Sequence, residues 1–209
     1  MIAVIDYGMG NICSVIQALE KVGLSSVLTS DRDEIKKSKG IILPGVGAFP
    51  KAMHQLKEKE LDVCIREEVA DGKPLLGICL GMQLLFTNSE EIEWTEGLEI
   101  IPGTVHHLPY TNKVPHMGWN MLEQRKETPL LTGVRANPYV YYVHSYYVEC
   151  DDCYIDASSE YSVRVPGIIS YKNIYGTQFH PEKSGDIGLQ IVQNFKKVVE
   201  ACSFSQQST

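Results

Sequence analysis

Long apolar runs are absent from this chain: nowhere do about 18 apolar residues follow one another, the least a membrane-spanning helix requires. Positive charge is scarce as well, with 19 Lys and Arg against 26 Asp and Glu and a formal net charge of -7. The basic residues are scattered except for pairs such as Lys36-Lys37 and Lys196-Lys197, so neither nucleic acid nor an anionic membrane is expected as a partner. The opening MIAVIDYGMG has no basic n-region and reaches Asp6 after five residues, which reads as a cytoplasmic rather than a secreted chain.

Cofactor signatures are missing too. There is no P-loop and no dinucleotide fingerprint, so no cofactor is expected. Cys150-Asp151-Asp152-Cys153 has the spacing of half a zinc knuckle, but no second pair accompanies it. It reads as two ordinary thiols in a turn, and no metal site is expected. The six cysteines are spread along the chain, as suits free thiols in a reducing compartment. Repeats, low-complexity segments and linkers are likewise lacking. With 209 residues and 44% hydrophobic content, the chain reads as one domain over residues 1–200 with a polar tail at 201–209.

What is present alternates. Ile2-Ala3-Val4-Ile5 reads as a strand, and Asn11 can cap a helix with apolar positions at Ile12, Val15, Ile16, Leu19 and Val22, ending at Gly23. Val27-Leu28 precedes a polar helix start at Ser30-Asp31. Ile41-Ile42-Leu43 precedes a Gly/Pro loop and a long charged helical stretch to about Ala70. Leu75 to Ile78 precedes a helical segment from Leu80 to Phe86. Such alternation implies an α/β fold with an open, mostly parallel sheet and flanking helices. From about Gly97 the texture becomes β-rich, with candidate strands at Val140–Val143, Ile168–Tyr171 and Ile174–Phe179, before a final amphipathic helix.

Gly77-Ile78-Cys79-Leu80-Gly81 puts glycines two residues either side of a cysteine, between a buried strand and a helix. That is the sharp turn by which hydrolases lift a nucleophile above a sheet, with sulfur in place of oxygen. The helix start at Leu80 aims free N–H groups at the sulfur and favours the thiolate. A nucleophile needs a base at a neighbouring strand end. Phe179-His180-Pro181-Glu182 supplies imidazole and carboxylate together, because Pro181 cannot continue a central strand. His54, His106, His107, His116 and His144 lack such a setting and read as structural. Pro44-Gly45-Val46-Gly47 ends another strand with free N–H groups suited to an oxyanion; the same loop would also suit a phosphate, although it lacks P-loop spacing.

GICLGMQLLF and FHPE, about one hundred residues apart and in this order, resemble the triad-type glutamine amidotransferases, whose glutaminase domain is an open sheet with a flavodoxin-like core. MIAVIDYGMGN, PGVGAF and the PHMGWN segment at 115–120 resemble, within that family, the glutaminase subunits of imidazole glycerol phosphate synthases. The resemblance runs from Met1 to about Val199. It implies that Cys79 attacks glutamine, His180 donates a proton to the departing ammonia and Glu182 fixes the imidazole. It implies oxyanion contacts from the Leu80 N–H and a Val46 or Gly47 N–H, with Gln83 and the Ser145-Tyr146 backbone around the substrate. Gly45 and Gly47 would make a switching peptide flip there easy.

Residues alone favour a core role for PHMGWN. The resemblance reverses that reading and implies that Met117, Trp119 and Asn120, with Asn11 and Lys183, form the docking face for a (β/α)8-barrel cyclase in a heterodimer. That cyclase would use the ammonia to make imidazole glycerol phosphate and an aminoimidazole carboxamide ribonucleotide in histidine synthesis. The alternatives are a glutaminase feeding another acceptor, such as a sugar-modifying synthetase, a cysteine peptidase on the same sheet, and a catalytically silent module.

Overall fold

The computed structural model describes the backbone of residues 1–205 and side chains through Cys202. The first half comprises β1 (Ile2–Ile5), α1 (Ile12–Lys21), β2 (Ser26–Thr29), α2 (Arg32–Lys37), β3 (Ile41–Leu43), α3 (Phe49–Glu58), α4 (Leu61–Ala70), β4 (Leu75–Ile78) and α5 (Leu80–Gln83). The second half comprises β5 (Phe86–Ser89), β6 (Thr95–Glu96), β7 (Ile101–His107), β8 (His116–Met121), β9 (Glu123–Gln124), β10 (Tyr139–His144), β11 (Tyr146–Glu149), β12 (Ile155–Tyr161), β13 (Val163–Tyr171) and β14 (Ile174–Thr177), closed by α6 (Gly185–Ser205).

Among the described residues the main sheet has the order β2-β1-β3-β4-β14-β13-β12-β9. β2, β1, β3, β4 and β14 run parallel, and β13, β12 and β9 add antiparallel strands. The strand order reverses between β1 and β3, the switch point where doubly wound sheets open a crevice at their carboxyl ends. In the central register, Leu76 lies opposite Ile42 of β3 on one side and Tyr175 of β14 on the other. Three neighbouring strands therefore end together, and the loops after β3, β4 and β14 carry Pro44–Gly47, Cys79 and His180.

Both faces of this sheet are covered, which is why its strands read as unbroken apolar runs. Ala3, Ile5, Ile41, Leu43 and Leu75 face Phe49, Met53, Leu56, Leu61 and Ile65 of α3 and α4. Ile2, Val4, Ile42, Leu76 and Ile78 face Val15 and Leu19 of α1 and Ile191, Phe195 and Val199 of α6. Each such Val, Leu, Ile, Phe or Met side chain, fully buried, contributes about 1.5–3 kcal/mol. Two smaller sheets, β10-β8 and β11-β7-β5-β6, build the β-rich half over the strand ends.

Four local expectations change. Asn11 occupies the N-cap of α1 but its side chain makes no capping bond. The charged stretch to Ala70 is two helices, broken at Lys59–Glu60 with Glu60 at φ 54. Its apolar positions step by three or four up to Leu56 and then by five to Leu61, so one straight helix would rotate the second set away from the sheet. The segment after Cys79 is a single turn ending at Gln83, and Phe86 instead begins a strand and pairs with Ile101. The closing helix extends to Ser205, inside the expected tail, whose residues 206–209 lie outside the described residues.

Candidate active site

Cys79 sits at φ 54, ψ -112, a backbone conformation that costs a non-glycine residue about 1–3 kcal/mol and marks functional turns. Its neighbours hold it there. Cys79 N–H donates to Thr177 O at 2.7 Å, and Cys79 O accepts from Met82 N at 3.0 Å and Gln83 N at 3.2 Å. The flanking glycines serve close approach rather than unusual dihedrals. A Cβ on Gly81 would lie 1.8 Å from Leu43 O, and one on Gly77 would lie 2.7 Å from Gly81 O. The turn after β4 is thus pressed against the end of β3.

The β3 loop meets it from the other side. A Cβ on Gly45 would lie 2.7 Å from Gly81 N and 2.8 Å from the Tyr7 hydroxyl, while Gly47 adopts φ +101. Tyr7 Oη donates to Pro44 O at 2.7 Å and pins the start of the loop. Freedom to turn therefore belongs to Gly47, and Gly45 is glycine because there is no room for a side chain.

His180 is buried against Glu182, with Nδ1 and Oε1 2.8 Å apart. That carboxylate sets the tautomer: Nδ1–H donates to Glu182 and Nε2 is left for the cavity. The backbone is clamped as well. His180 N donates to Tyr141 O at 2.9 Å, and Ser184 Oγ donates to His180 O at 2.7 Å. Nε2 has no hydrogen-bond partner of good geometry, yet Cys79 is near enough to act on the ring electrostatically. Burial alone would lower the imidazole pKa; hydrogen bonding and charge from Cys79 and Glu182 outweigh it and raise the value to about 10. With Nδ1–H held by Glu182, the raised value favours a second proton on Nε2, facing the cavity.

Cys79 and His180 open on a cavity of about 410 Å3. Val46, Gly47, Leu80, Gln83, Ser145 and Tyr146 all line it, as does Lys183, placed at sequence level with the docking residues. Glu182 stands behind His180, off the cavity wall. Gln83 is buried, and its Nε2 donates to Tyr146 O and to Gln178 Oε1, each at 2.9 Å.

Two lining or contacting residues, Glu91 and Gln178, went unmarked in the sequence reading, and a third, His144, was read as structural. Glu91 is the one carboxylate among the described lining residues; burial raises its pKa while the Phe49 N–H it accepts at 2.9 Å opposes that rise. The paired acids Glu90-Glu91 after β5 were the available signal. His144 also lines the cavity and accepts at Nε2 from His116 Nδ1 at 2.8 Å, while its Nδ1 donates to Tyr146 O at 2.8 Å. Burial lowers His144 to about 3 and His116 to about 4, so both stay neutral. Gln178, whose only signal was its place beside Phe179-His180, touches the sulfur.

The PHMGWN segment is largely not core. Met117 is 62% and Trp119 56% exposed, on β8 beside exposed Tyr139 of β10. Lys183 Nζ lies 6.0 Å from the Tyr141 ring on the same side. Asn120 is half-buried and its amide is used within the fold, donating to His116 Nε2 at 3.3 Å and Glu160 O at 3.1 Å. Asn11, half-buried, follows the end of β1. Cys153 lies within a short 3-10 turn, Asp152–Tyr154, and Cys150 just ahead of it. Burial first, then neighbouring acids and Cys153, push the Cys150 thiol up to about 12.

The chain has relatives in sequence and in fold. The family model for class-I glutamine amidotransferases matches residues 3–198. A Bacillus cereus (strain G9842) protein named imidazole glycerol phosphate synthase subunit HisH is 56% identical over 209 residues, covering all of both chains. A protein of the same name from Bacillus thuringiensis (strain Al Hakam) is 56% identical over 208 residues, again covering all of both. Among solved structures, a glutamine amidotransferase superposes with a TM-score of 0.75 at 15% identity, covering 95% of this chain and 98% of that one. PurLQS from Thermotoga maritima superposes at 0.72 and 18% identity, covering 97% and 98%. At such identities these structures speak for the fold, while the full-length relatives and the family model speak for descent. No helix among the described residues is long and apolar enough to cross a membrane. On this evidence the chain belongs to the class-I glutamine amidotransferase family.

Proposed function

We propose that the chain hydrolyses glutamine to glutamate and ammonia and passes the ammonia to a cyclase subunit that makes imidazole glycerol phosphate and an aminoimidazole carboxamide ribonucleotide. The observation that carries this reading is the convergence of three adjacent strand ends on one cavity: a strained cysteine, an imidazole fixed by a carboxylate, and a glycine loop.

The chemistry follows from those groups. The Cys79 sulfur attacks the substrate carboxamide carbon, and the oxyanion is held by the Leu80 N–H with a Val46 or Gly47 N–H, each such donor being worth about 3 kcal/mol of barrier. His180 gives its Nε2 proton to the departing nitrogen, so that ammonia leaves and a glutamyl thioester remains. His180, now neutral, takes a proton from water, whose oxygen attacks the thioester to release glutamate and restore the thiolate. Glu182 holds the ring in the required tautomer throughout. Glutamine also carries an α-ammonium group, and Glu91 is the wall carboxylate available to it.

Ammonia released into water becomes ammonium and loses its nucleophilicity, so the site needs a partner above it. Met117 and Trp119, exposed on the strand whose Trp119 meets Tyr141 and so Lys183, are with Asn120 and Asn11 the docking face in this reading. A (β/α)8-barrel partner in a heterodimer is part of the proposal. The names of the 56% identical relatives support the cyclase over a sugar-modifying synthetase as acceptor. The test is glutamate release from glutamine by the purified chain, alone and with that cyclase and its nucleotide ligand, against Cys79→Ala. Release confined to the complex and lost in the variant supports the proposal; release indifferent to the cyclase redirects the ammonia to another acceptor.

A further inference from the structure

The hydrolysis scheme leaves the one buried carboxamide in contact with the sulfur without a role. Gln178 follows β14, two residues ahead of His180, and is 0% exposed. Its backbone N–H donates to Gly167 O at 3.0 Å. Its Oε1 accepts from Gln83 Nε2 at 2.9 Å, and its Nε2 lies 3.8 Å from Cys79 Sγ as a donor. The contacts fix the amide's orientation: Gln83 also donates to Tyr146 O, so Gln178 meets it with oxygen and turns its NH2 to the sulfur.

Each half of this amide does something different. An N–H aimed at sulfur interacts more strongly with a thiolate than with a thiol. It opposes the contact on the other side, where Cys79 Sγ lies 3.9 Å from Val143 O, an acceptor that suits the thiol. The oxygen half, with Tyr146 O, engages both protons of Gln83 Nε2, so the acceptor end of Gln83 is the one left for a ligand in the cavity. Leaving a buried amide unpaired is unfavourable, which holds the pair in this arrangement.

We infer that Gln178 is a positioning residue for the hydrolysis: its amide ties the attacking sulfur to the Gln83 side chain, readying the one and orienting the other. The inference rests on the proposed roles of Cys79 and Gln83. The other titratable groups around the sulfur are His180, Tyr7 and His144, with Glu91 and Lys183 on the cavity wall and Glu182 behind the imidazole. None is altered by Gln178→Met, which adds no charge, whereas Gln178→Glu adds a carboxylate of its own beside the sulfur.

The test pairs two variants whose halves separate. Gln178→Glu, where ionised, keeps an acceptor for Gln83 and sets a carboxylate against the sulfur in place of the N–H; Gln178→Met, of similar size and uncharged, removes both contacts, so it is the Met variant that isolates the loss of the N–H. In the folded proteins, iodoacetamide alkylation of Cys79 at pH 7 slows about tenfold in both, and its pH midpoint rises by about one unit. With the cyclase complex, kcat falls in both, whereas KM for glutamine holds within about twofold for Gln178→Glu and rises about tenfold for Gln178→Met. Alkylation rates and midpoints within twofold of wild type in folded variants would overturn the inference. Should both variants fail to fold, the wild-type protein still decides: the Gln178 side-chain amide resonance, followed by 15N NMR, shifts with the alkylation midpoint and stops doing so in Cys79→Ala. A resonance that ignores pH overturns the inference. A wild-type protein that alkylates normally yet releases no glutamate in the complex instead contradicts the glutaminase reading, and the two failures stay distinct.

Discussion

Single residues carry this site, and two of them make sharp predictions. Gly81 has no room for a methyl group, since its Cβ would sit 1.8 Å from the Leu43 carbonyl. Gly81→Ala is expected to cost about 3 kcal/mol or more, read as a lowered urea midpoint, because backbone rather than a flexible side chain must move. A fully stable variant would contradict the tight docking of the turn on β3. Glu182 supports the imidazole, so Glu182→Gln should lower glutamine turnover about 100-fold. The pH dependence has a definite sign. His180 binds its proton more tightly when folded, at about 10 against an ordinary value near 6.5. The stability this contributes is present in full below about 6.5 and is lost as pH rises through 10. The urea-midpoint gap between wild type and Glu182→Gln should therefore be widest near pH 6 and narrow by pH 10; a gap that widens with pH would refute the assignment.

Strands and helices were legible in the sequence where composition forced them. β1, β3 and β4 are covered on both faces, so their apolar runs had one reading, and Gly23 at φ 66 ended α1 as expected. Cys79, His180 and Glu182 could be picked out because glycine and proline punctuate their turns. Gln178 and His144 could not, since buried polar residues on strand ends declare themselves only through partners distant in sequence. The helix break at Glu60 and the short α5 were missed because charge and local propensity continue smoothly across them. The β8–β10 pair now makes its own prediction. His116 is stacked between Tyr142 and Tyr161, with centroids 4.6 and 3.9 Å away, and bonded to His144. Both rings resist protonation down to about 4 and 3, while the unfolded chain takes up those protons near 6.5. Stability should fall as pH drops from 6.5 towards 4, and His116→Phe, which keeps the stacking, should flatten that fall in urea titrations. An unchanged slope would show that other groups govern acid unfolding.

At the scale of the whole molecule, the sheet gathers the chemistry at its carboxyl edge and the β-rich half covers it, leaving an exposed aromatic strand beside the opening. An exposed Trp flanked by Met and Tyr is a suitable anchor for a partner. Trp119→Ala should weaken cyclase binding at least 30-fold, about 2 kcal/mol, by calorimetric titration, with little change in the melting temperature of the free chain; undiminished affinity would place the interface elsewhere. The central claim, however, is covalent. Acid quenching of the cyclase complex during glutamine turnover, followed by mass spectrometry of the Cys79 peptide, tests it most directly. The account predicts a glutamyl adduct on Cys79 that is absent from Cys79→Ala. Glutamate formed at full rate with Cys79 never acylated, or formed equally by the alanine variant, would contradict it.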